Sequence, residues 1–469
     1  MASDDTQMFK KIVNDPIHGH IELHPACVAI IDTPEFQRLR FLKQLGLVYF
    51  VFPGAAHNRF EHSIGTCHLA GQFARCLQQN QPRLGVTDKD ILCVELAGLC
   101  HDLGHGPLSH LFDQKFIPGT EAKKHWKHEE ASKAMLDHLI DEHSLMAKGG
   151  KLSQYLDEAD ITFIKEQIDG SRFSSSGEWT CSGRGKEKGF LYEIVSNKRN
   201  NVDVDKFDYF ARDCHHLGIK NNFDHLRYMR FARVIEVDSE PQICIRDKEI
   251  ANLYNMFYTR YTLHKYAYQH RVKSIIETMV LDAMLLADQH LTFKGKTNVP
   301  LKLSDCIHDM TAYTSLTDDV LFTILYSTSQ ASDMTQARQI MERIFNRDLY
   351  VCVYDSKPLK YDLLKNDEAE IKRSVFSRAQ QYEASVTEED VAVHIAYLDF
   401  GMKGQNPVEK LNVYTKHDME KATRLHQEEA SRILGPTTFQ EFVVRIMCCV
   451  RDTKKCTAIK KASLEVMES

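Results

Sequence analysis

The chain has 469 residues, 43% of them apolar and 26% charged, with a formal net charge of −6. That is the balance of a globular protein long enough for two or three domains, and the acidic sign argues against a surface generally coated with nucleic acid while leaving room for local basic pockets. No stretch is long and apolar enough to cross a membrane, so no membrane partner is expected. The N-terminal Met-Ala-Ser-Asp-Asp-Thr-Gln lacks the basic start and apolar run of a signal peptide, which predicts a protein of the nucleus or cytoplasm. Thirteen cysteines without a paired CxxC framework suit reduced thiols, and Cys448 and Cys449 are neighbours rather than a scaffold.

From Lys10 to His24 an alternating apolar pattern, broken by Asp15-Pro16 and Gly19, predicts a short hairpin. Thr33 followed by Pro34 and helically spaced apolar residues predicts a helix that ends at Gly46. A turn at Pro53-Gly54 feeds a further helix to about Gln79, with Arg59 and His62 three apart on one face, where a guanidinium can grip a phosphate while an imidazole meets a metal. Thr87 to Asp90 caps the next helix, whose apolar residues nearly surround it and which ends in His101-Asp102 before Gly104 and Pro107. An imidazole and a carboxylate closing a buried helix need a neutralising partner, and a metal ion is a natural one. A capped helix end with a satisfied histidine is the alternative.

His105, His110 and Asp113 follow, then Trp126 to Glu130 opens another amphipathic helix carrying His128. Residues 144–189, which include a Ser- and Gly-rich run, read as a mobile insertion between helices and not as a domain boundary. Beyond it Asp205, Tyr209 and Asp213 repeat every four residues, one stripe of a helix. Acid, phenol and acid on one stripe suit a pocket wall, against an exposed face bridged to Lys206 or Arg212. After about residue 290 the polar Thr292 to Lys302 reads as a connection, Leu303 to Asn346 as helical, and the runs from Leu349 and Val391 as strands. The predicted fold is therefore mainly α: a helical core over 1–290 and a smaller mixed α/β regulatory lobe over 291–469.

His62, His101-Asp102 and Asp205 form the ordered H…HD…D signature of the HD phosphohydrolase superfamily. Asn14 to Gly19, His57 to Ser63, His101 to Pro107 and Asp203 to Asp213 further resemble the SAM and HD domain-containing deoxynucleoside triphosphate (dNTP) triphosphohydrolases of vertebrates, over roughly residues 10–420. The resemblance implies a metal held by His62, His101, Asp102 and Asp205, a mixed N/O set suited to Fe, Mn or Zn, with Mg accompanying the triphosphate. There is no GxxxxGK[ST] cradle. The implied reaction is water plus dNTP giving deoxynucleoside and inorganic triphosphate, limiting cellular dNTP pools and thereby viral replication.

The resemblance also assigns residues. His110 would protonate the leaving 5′-oxygen with Asp113 fixing its tautomer, and His128 is a further active-site histidine. Arg59, Lys206, His105 and Arg260 would hold phosphates. Gln44 and Asp213 would bond the 3′-hydroxyl, Leu45, Tyr209 and Tyr268 would crowd the 2′ position, and Gln269 would also meet substrate. Lys11, Ile12, Asp32, Gln37 and Arg40 match a site for a GTP or dGTP activator. Asn14, Val51, Phe52, Arg227, Arg246, Lys248, Asn252, His270, Arg271 and Arg347 match an adjoining dNTP activator site shared between subunits of a homotetramer, which would be a dimer or monomer without nucleotide. Tyr266 and Val351 depart from the arginine and lysine expected there. The SAM module is expected to be absent, with no room before Lys10, and the stretch from Thr437 is shorter than expected. Two other readings remain in view: an HD phosphodiesterase or nuclease, and a nucleotide-regulated scaffold that binds single-stranded nucleic acid.

Overall fold

The structure is a computed structural model that describes residues 11–121, 126–360, 367–402, 404–425 and 438–468. Lys10, the Met1 to Gln7 stretch and Thr437, each part of an expectation above, lie outside the described residues.

The N-terminal hairpin is present as Lys11–Asp15 paired antiparallel with Gly19–Leu23. Thr33 caps the next helix as expected, its hydroxyl accepting from the Phe36 N–H, but the α-helix is only Pro34–Gln37 and tightens into a 3₁₀ turn over Arg38–Phe41. Gly46 does not end a helix. It opens a second 3₁₀ turn, Gly46–Phe50, at φ +49°, and a Cβ there would meet the Leu108 carbonyl oxygen at 2.9 Å. Chain proximity to the 108–110 loop therefore overrides the helical pattern.

Two helices make the centre. Arg59–Asn80 begins where the Glu61 carboxylate accepts the Asn58 N–H at 2.7 Å, and Asp88–Cys100 begins in a capping box between Thr87 and Asp90. They approach closely at Gly98, where a Cβ would lie 3.2 Å from Ala70 Cβ, and Ile64, Phe73, Leu77, Val94, Leu96 and Leu99 are buried in the main core. Truncating a fully buried leucine such as Leu96 to alanine would cost roughly 2–5 kcal/mol. The Val204–Leu217 helix packs on the first of this pair at Gly65, where a Cβ would lie 1.9 Å from an Asp208 carboxylate oxygen. That close approach brings His62 and Asp205 together.

The 144–189 segment is not a loose insertion. It contains the Glu158–Asp169 helix, whose Phe163 and Ile164 are buried in the main core. Its Arg184 donates to Asp90 at 2.8 Å and to Asp160 at 2.6 Å, and Trp179 packs edge-on against Tyr192. Arginine–carboxylate bonds and aromatic contacts thus anchor a run whose composition reads as loop.

The expected division at residue 290 does not coincide with a break in the core. The Thr292 to Lys302 stretch forms a small hairpin, Thr292–Lys294 with Pro300–Lys302, and Leu303, Tyr313, Met341 and Ile344 are buried with the Arg271–Ala287 helix. A second, smaller core lies further on. Its sheet is centred on Gln440–Cys448, paired with Val391–Asp399 on one edge and with Val351–Asp355 and Leu359–Lys360 on the other. One sheet face is covered by Glu368–Gln380 and Thr453–Glu468, burying Ile371, Val375, Ile395, Val444, Ile446 and Ile459. The fold is mainly α with a mixed α/β lobe. All thirteen cysteines are free, and no described helix is long and apolar enough to cross a membrane.

Candidate active site and metal centre

Three helices bring their ends to one cavity of about 730 Å³, a volume in the range of small-molecule sites. The first turn of Arg59–Asn80 supplies Arg59 and His62, the C-terminal end of Asp88–Cys100 leads into His101 and Asp102, and the first two turns of Val204–Leu217 supply Asp205, Lys206 and Tyr209. Gln44, Leu45, His105, His110, His128, Asp213, Arg260, Tyr268 and Gln269 line the same space. Asp113 stands behind its wall, bonded to His128.

His62 Nε2 lies 3.2 Å from Asp205 Oδ1 and 3.6 Å from Asp102 Oδ2; His101 Nε2 lies 3.4 Å from Asp205 and 3.3 Å from Asp102. Ligands at about 2.1 Å from one ion, in octahedral or tetrahedral arrangement, are separated by roughly 3.0–3.4 Å. The tautomers agree with this use. His62 donates from Nδ1 to Asp208 at 2.7 Å and His101 donates from Nδ1 to the Gly98 carbonyl at 2.8 Å, leaving both Nε2 lone pairs aimed at the carboxylates. His101 Nε2 is buried and without a hydrogen-bond partner. The residues fit a transition-metal ion: His62, His101 and Asp102 offer ligand atoms all within 4.8 Å of one another, as do the neighbouring His105, His110 and His128.

The electrostatics follow from the crowding. Burial opposes charge on His62, but Asp205, Asp208 and Asp102 outweigh it and push the imidazole up to about 10. Burial also opposes charge on Asp205, where His101 and His62 win and hold the carboxyl below its usual range. Two imidazoles among three carboxylates, a setting that favours positive charge, mark a place that a divalent cation can fill.

A second histidine group stands beside it. His105 and His128 stack with ring centroids 4.0 Å apart, and His110, the most exposed, meets both edge-on. Asp113 stands between two of these rings: one carboxylate oxygen accepts from His128 Nδ1 at 2.8 Å and the other lies 3.6 Å from His110 Nδ1, the partner expected from the sequence. His110 opens the helical turn that carries Asp113, and its direction is set by Leu108 and Ser109 just before it, both at positive φ. That unusual backbone is held by Asp318, which accepts from the Leu108 and Lys43 N–H groups at 2.7 Å each, and by Ser109 Oγ donating to the Lys43 carbonyl. Burial, with Arg59 and His128 nearby, pushes His105 well below the ordinary imidazole range.

The cationic side chains are partly engaged. Arg59 bonds Asp102 at 2.5 Å and Ser109 at 3.1 Å, Lys206 bonds Asp203, and Arg260 donates to Tyr209 at 3.3 Å and Asp399 at 3.4 Å. The stripe resolves as a wall: Asp205 and Tyr209 face the cavity, while Asp213 is buried and accepts from His57 at 2.7 Å and from Tyr268. Lys206 and Arg212 do not pair with the stripe; Arg212 binds Asp208 and Asp15.

Sequence reasoning missed four supporting residues. Asp208 orients His62, His57 holds Asp213, Asp318 pins the 108–110 loop, and buried Arg38 donates to the carbonyls of Leu103, His105 and Leu316. Asp208 lies three residues after Asp205, on the same helix, and that spacing was the available signal. For Asp318 and Arg38 none existed, because their partners are far away in sequence.

Away from the cavity, Lys11, Asn14, Asp32, Gln37 and Arg40 line a groove of about 640 Å³ beside the hairpin. Lys11 pairs with Asp32 at 3.4 Å, Arg40 donates to Gln37 at 2.7 Å and covers the Phe60 ring, and Ile12 is exposed nearby. The other expected activator residues fall into separate groups. Arg227 pairs with Glu249, Asn252 bonds Asp224, Lys248 covers Phe231 and Arg246 pairs with Asp247; elsewhere His270 packs on Phe52, next to Val51, Arg271 pairs with Asp355 and Arg347 donates to the Phe50 carbonyl. Tyr266 is exposed, and Val351 pairs with Cys448 in the sheet.

Three helix ends, a His/His-Asp/Asp set with converging lone pairs and a polar cavity define the class of the HD-domain hydrolases, and residues 59–181 match the family model described as HD domain. The chain is 48% identical over 461 residues to the deoxynucleoside triphosphate triphosphohydrolase SAMHD1 of Bos taurus, covering 96% of this chain and 77% of that protein. To the protein of the same name from Homo sapiens it is 47% identical over 458 residues, covering 96% and 72%. To the SAMHD1 homolog of Dictyostelium discoideum it is 38% identical over 465 residues, covering 98% and 81%. The chain belongs to the SAMHD1 family of deoxynucleoside triphosphate triphosphohydrolases.

Proposed function

We propose that the protein hydrolyses dNTPs to deoxynucleoside and inorganic triphosphate in the cavity between the three helix ends. The observation that carries this reading is the convergence of His62, His101, Asp102 and Asp205 beside a second histidine group and three cationic side chains in one cavity. Those four residues would hold an Fe, Mn or Zn ion. When bound, such an ion supplies Lewis acidity toward a phosphate oxygen and makes water a better nucleophile near neutral pH.

The chain's own groups do the rest. Arg59, Lys206 and Arg260 carry positive charge toward the triphosphate, with Mg sharing its neutralisation. His110, the exposed imidazole of the trio, gives the proton to the 5′-oxygen as the bond to the α-phosphorus breaks, and His128, its Nδ1 proton held by Asp113, stands beside it as a further active-site histidine. Gln44 has a buried Oε1 without a partner and Asp213 retains acceptor capacity, so both suit the 3′-hydroxyl. Leu45, Tyr209 and Tyr268 form the wall that would bury an added 2′-hydroxyl without a partner. In the cell this activity would limit dNTP pools, and with them viral replication, in the nucleus or cytoplasm.

The groove beside the hairpin suits a guanine nucleotide: Asp32 accepts from the guanine N1 and N2 donors, and Arg40 meets O6. With dNTP at the second set of basic residues, two nucleotides would bridge protomers into a tetramer, since basic patches on separate chains repel until triphosphates lie between them. Incubation with dGTP, GTP and a divalent metal, followed by chromatography, tests the reading. Deoxyguanosine and triphosphate are expected, with GTP persisting; deoxyguanosine monophosphate would favour a phosphodiesterase instead.

A further inference from the structure

The cavity continues past the nucleotide-handling residues to a wall made by the C-terminal sheet, where His394 and Lys115 line it next to Gln269. His394 lies on Val391–Asp399, is 4% exposed, and stands directly across from Arg445 in the sheet register. Arg445 clamps the Gln269 backbone by donating to its carbonyl at 2.7 Å, so the strand pair and the Gln269 turn form one rigid corner.

Three polar side chains at this corner fix one another. Lys115 Nζ lies 2.9 Å from His394 Nδ1, and an ammonium has only protons to give, so Nδ1 is the acceptor. The ring proton is then on Nε2, which lies 3.4 Å from Gln269 Oε1 and donates to it. With its oxygen so occupied, the Gln269 amide can turn only its nitrogen, a pair of donors, to the cavity. The acidic group nearest the ring is Glu368, 3.9 Å from Nδ1 and 4.0 Å from Lys115 Nζ, and its oxygen accepts from the Ile395 N–H at 2.7 Å. Burial, reinforced by the charges of Lys115, Lys273 and Arg445, keeps His394 neutral, as this arrangement needs.

We propose that His394 is a positioning residue for the substrate: through Lys115 on one side and Gln269 on the other, it fixes the Gln269 amide as a hydrogen-bond donor to an acceptor on the bound nucleotide. Without it the amide is free to flip and present its oxygen, which repels the same acceptor. The inference rests on the cavity being the nucleotide site, and it ties the C-terminal lobe to substrate binding rather than to the chemical step.

The test measures KM and kcat for dGTP at fixed GTP, and the dissociation constant of a dGTP analogue whose 5′-oxygen is replaced by a methylene group. The second value needs no turnover, so failure of the hydrolase reading is distinguishable from failure of this one. His394→Leu and Lys115→Met are expected to weaken binding by about five- to tenfold, the size of one lost hydrogen bond, with kcat nearly unchanged. His394→Gln, whose amide also pairs an acceptor with a donor, is expected to restore binding. In a Gln269→Ala background neither His394→Leu nor Lys115→Met should cost anything further, a coupling that general loosening of the lobe would not produce. Effects of His394→Leu and Gln269→Ala that simply multiply, a loss confined to kcat, or a folded His394→Gln as weak as His394→Leu would overturn the proposal.

Discussion

Asp208 accepts the Nδ1 proton of His62 at 2.7 Å while the same carboxylate binds Arg212 and His18, so one buried acid fixes the tautomer of a histidine in the candidate metal centre and ties the Val204–Leu217 helix to the N-terminal hairpin. Hydrogen bonds to a ligand's far nitrogen commonly change metal affinity or activity by about 10–100-fold. Asp208→Asn should therefore lower metal content and turnover by that factor. Removing one partner also leaves the fully buried Arg212 with a single carboxylate, Asp15, and a stability loss of roughly 3–5 kcal/mol is expected. Metal analysis and denaturant unfolding on the same sample check both; unchanged metal content would mean that the His62 tautomer does not depend on Asp208.

Asp113 serves His128 in the same way. Asp113→Asn replaces an acceptor that takes the Nδ1 proton with a group that can also donate, so His128 can adopt the other tautomer. We expect kcat to fall by about 100-fold with KM little changed, and the pH profile of kcat to move. A loss confined to KM would instead assign Asp113 to substrate binding.

Asp318 gives a pH dependence of stability. Burial pushes its carboxyl up from 3.8 to about 6, although two backbone N–H groups favour the charged form. A carboxyl raised on folding binds its proton more tightly in the folded state, so its contribution is greatest below about pH 4 and is lost as pH rises through 6. The shift corresponds to at most about 3 kcal/mol. The unfolding free energy of Asp318→Asn should therefore gain on that of the wild type between pH 4 and 7, whatever their absolute difference. A variant that loses ground over that range would show that Asp318 is stabilised in its charged form.

The hairpin groove makes a separate prediction about assembly. Asp32 is half-exposed and paired only loosely with Lys11, so its replacement by alanine should leave the fold and the metal centre intact. If Asp32 reads guanine, Asp32→Ala loses GTP-promoted tetramer formation and GTP-stimulated dGTP hydrolysis together. Light scattering with and without GTP, run beside the product assay, checks it; a tetramer that forms normally would remove Asp32 from guanine recognition.

What the sequence made legible depended on the reach of each signal. Caps and hairpins are local, and Thr33, Thr87 and the Lys11–Leu23 hairpin appear as expected. The ordered histidines and aspartates pointed to the candidate metal centre because motif order survives folding: His62, His101, Asp102 and Asp205 line one cavity although 143 residues separate the first from the last. The packed 144–189 segment was hidden because Arg184 finds Asp90 and Asp160 only in three dimensions. The same reason hid Asp318 behind Leu108, His394 behind Gln269, and His128 as a second partner of Asp113 beside His110.

The central claim is that the His/His-Asp/Asp centre drives removal of triphosphate from dNTPs. It is tested most directly by measuring bound transition metal and triphosphate release from dGTP on the same preparations of wild type and His101→Ala. His101 contributes one converging lone pair at the end of an otherwise packed helix, so the variant should fold, lose its metal and release no triphosphate, while the wild type holds metal and releases triphosphate and deoxyguanosine in equal amounts. A folded His101→Ala that retains both metal and turnover would contradict the account.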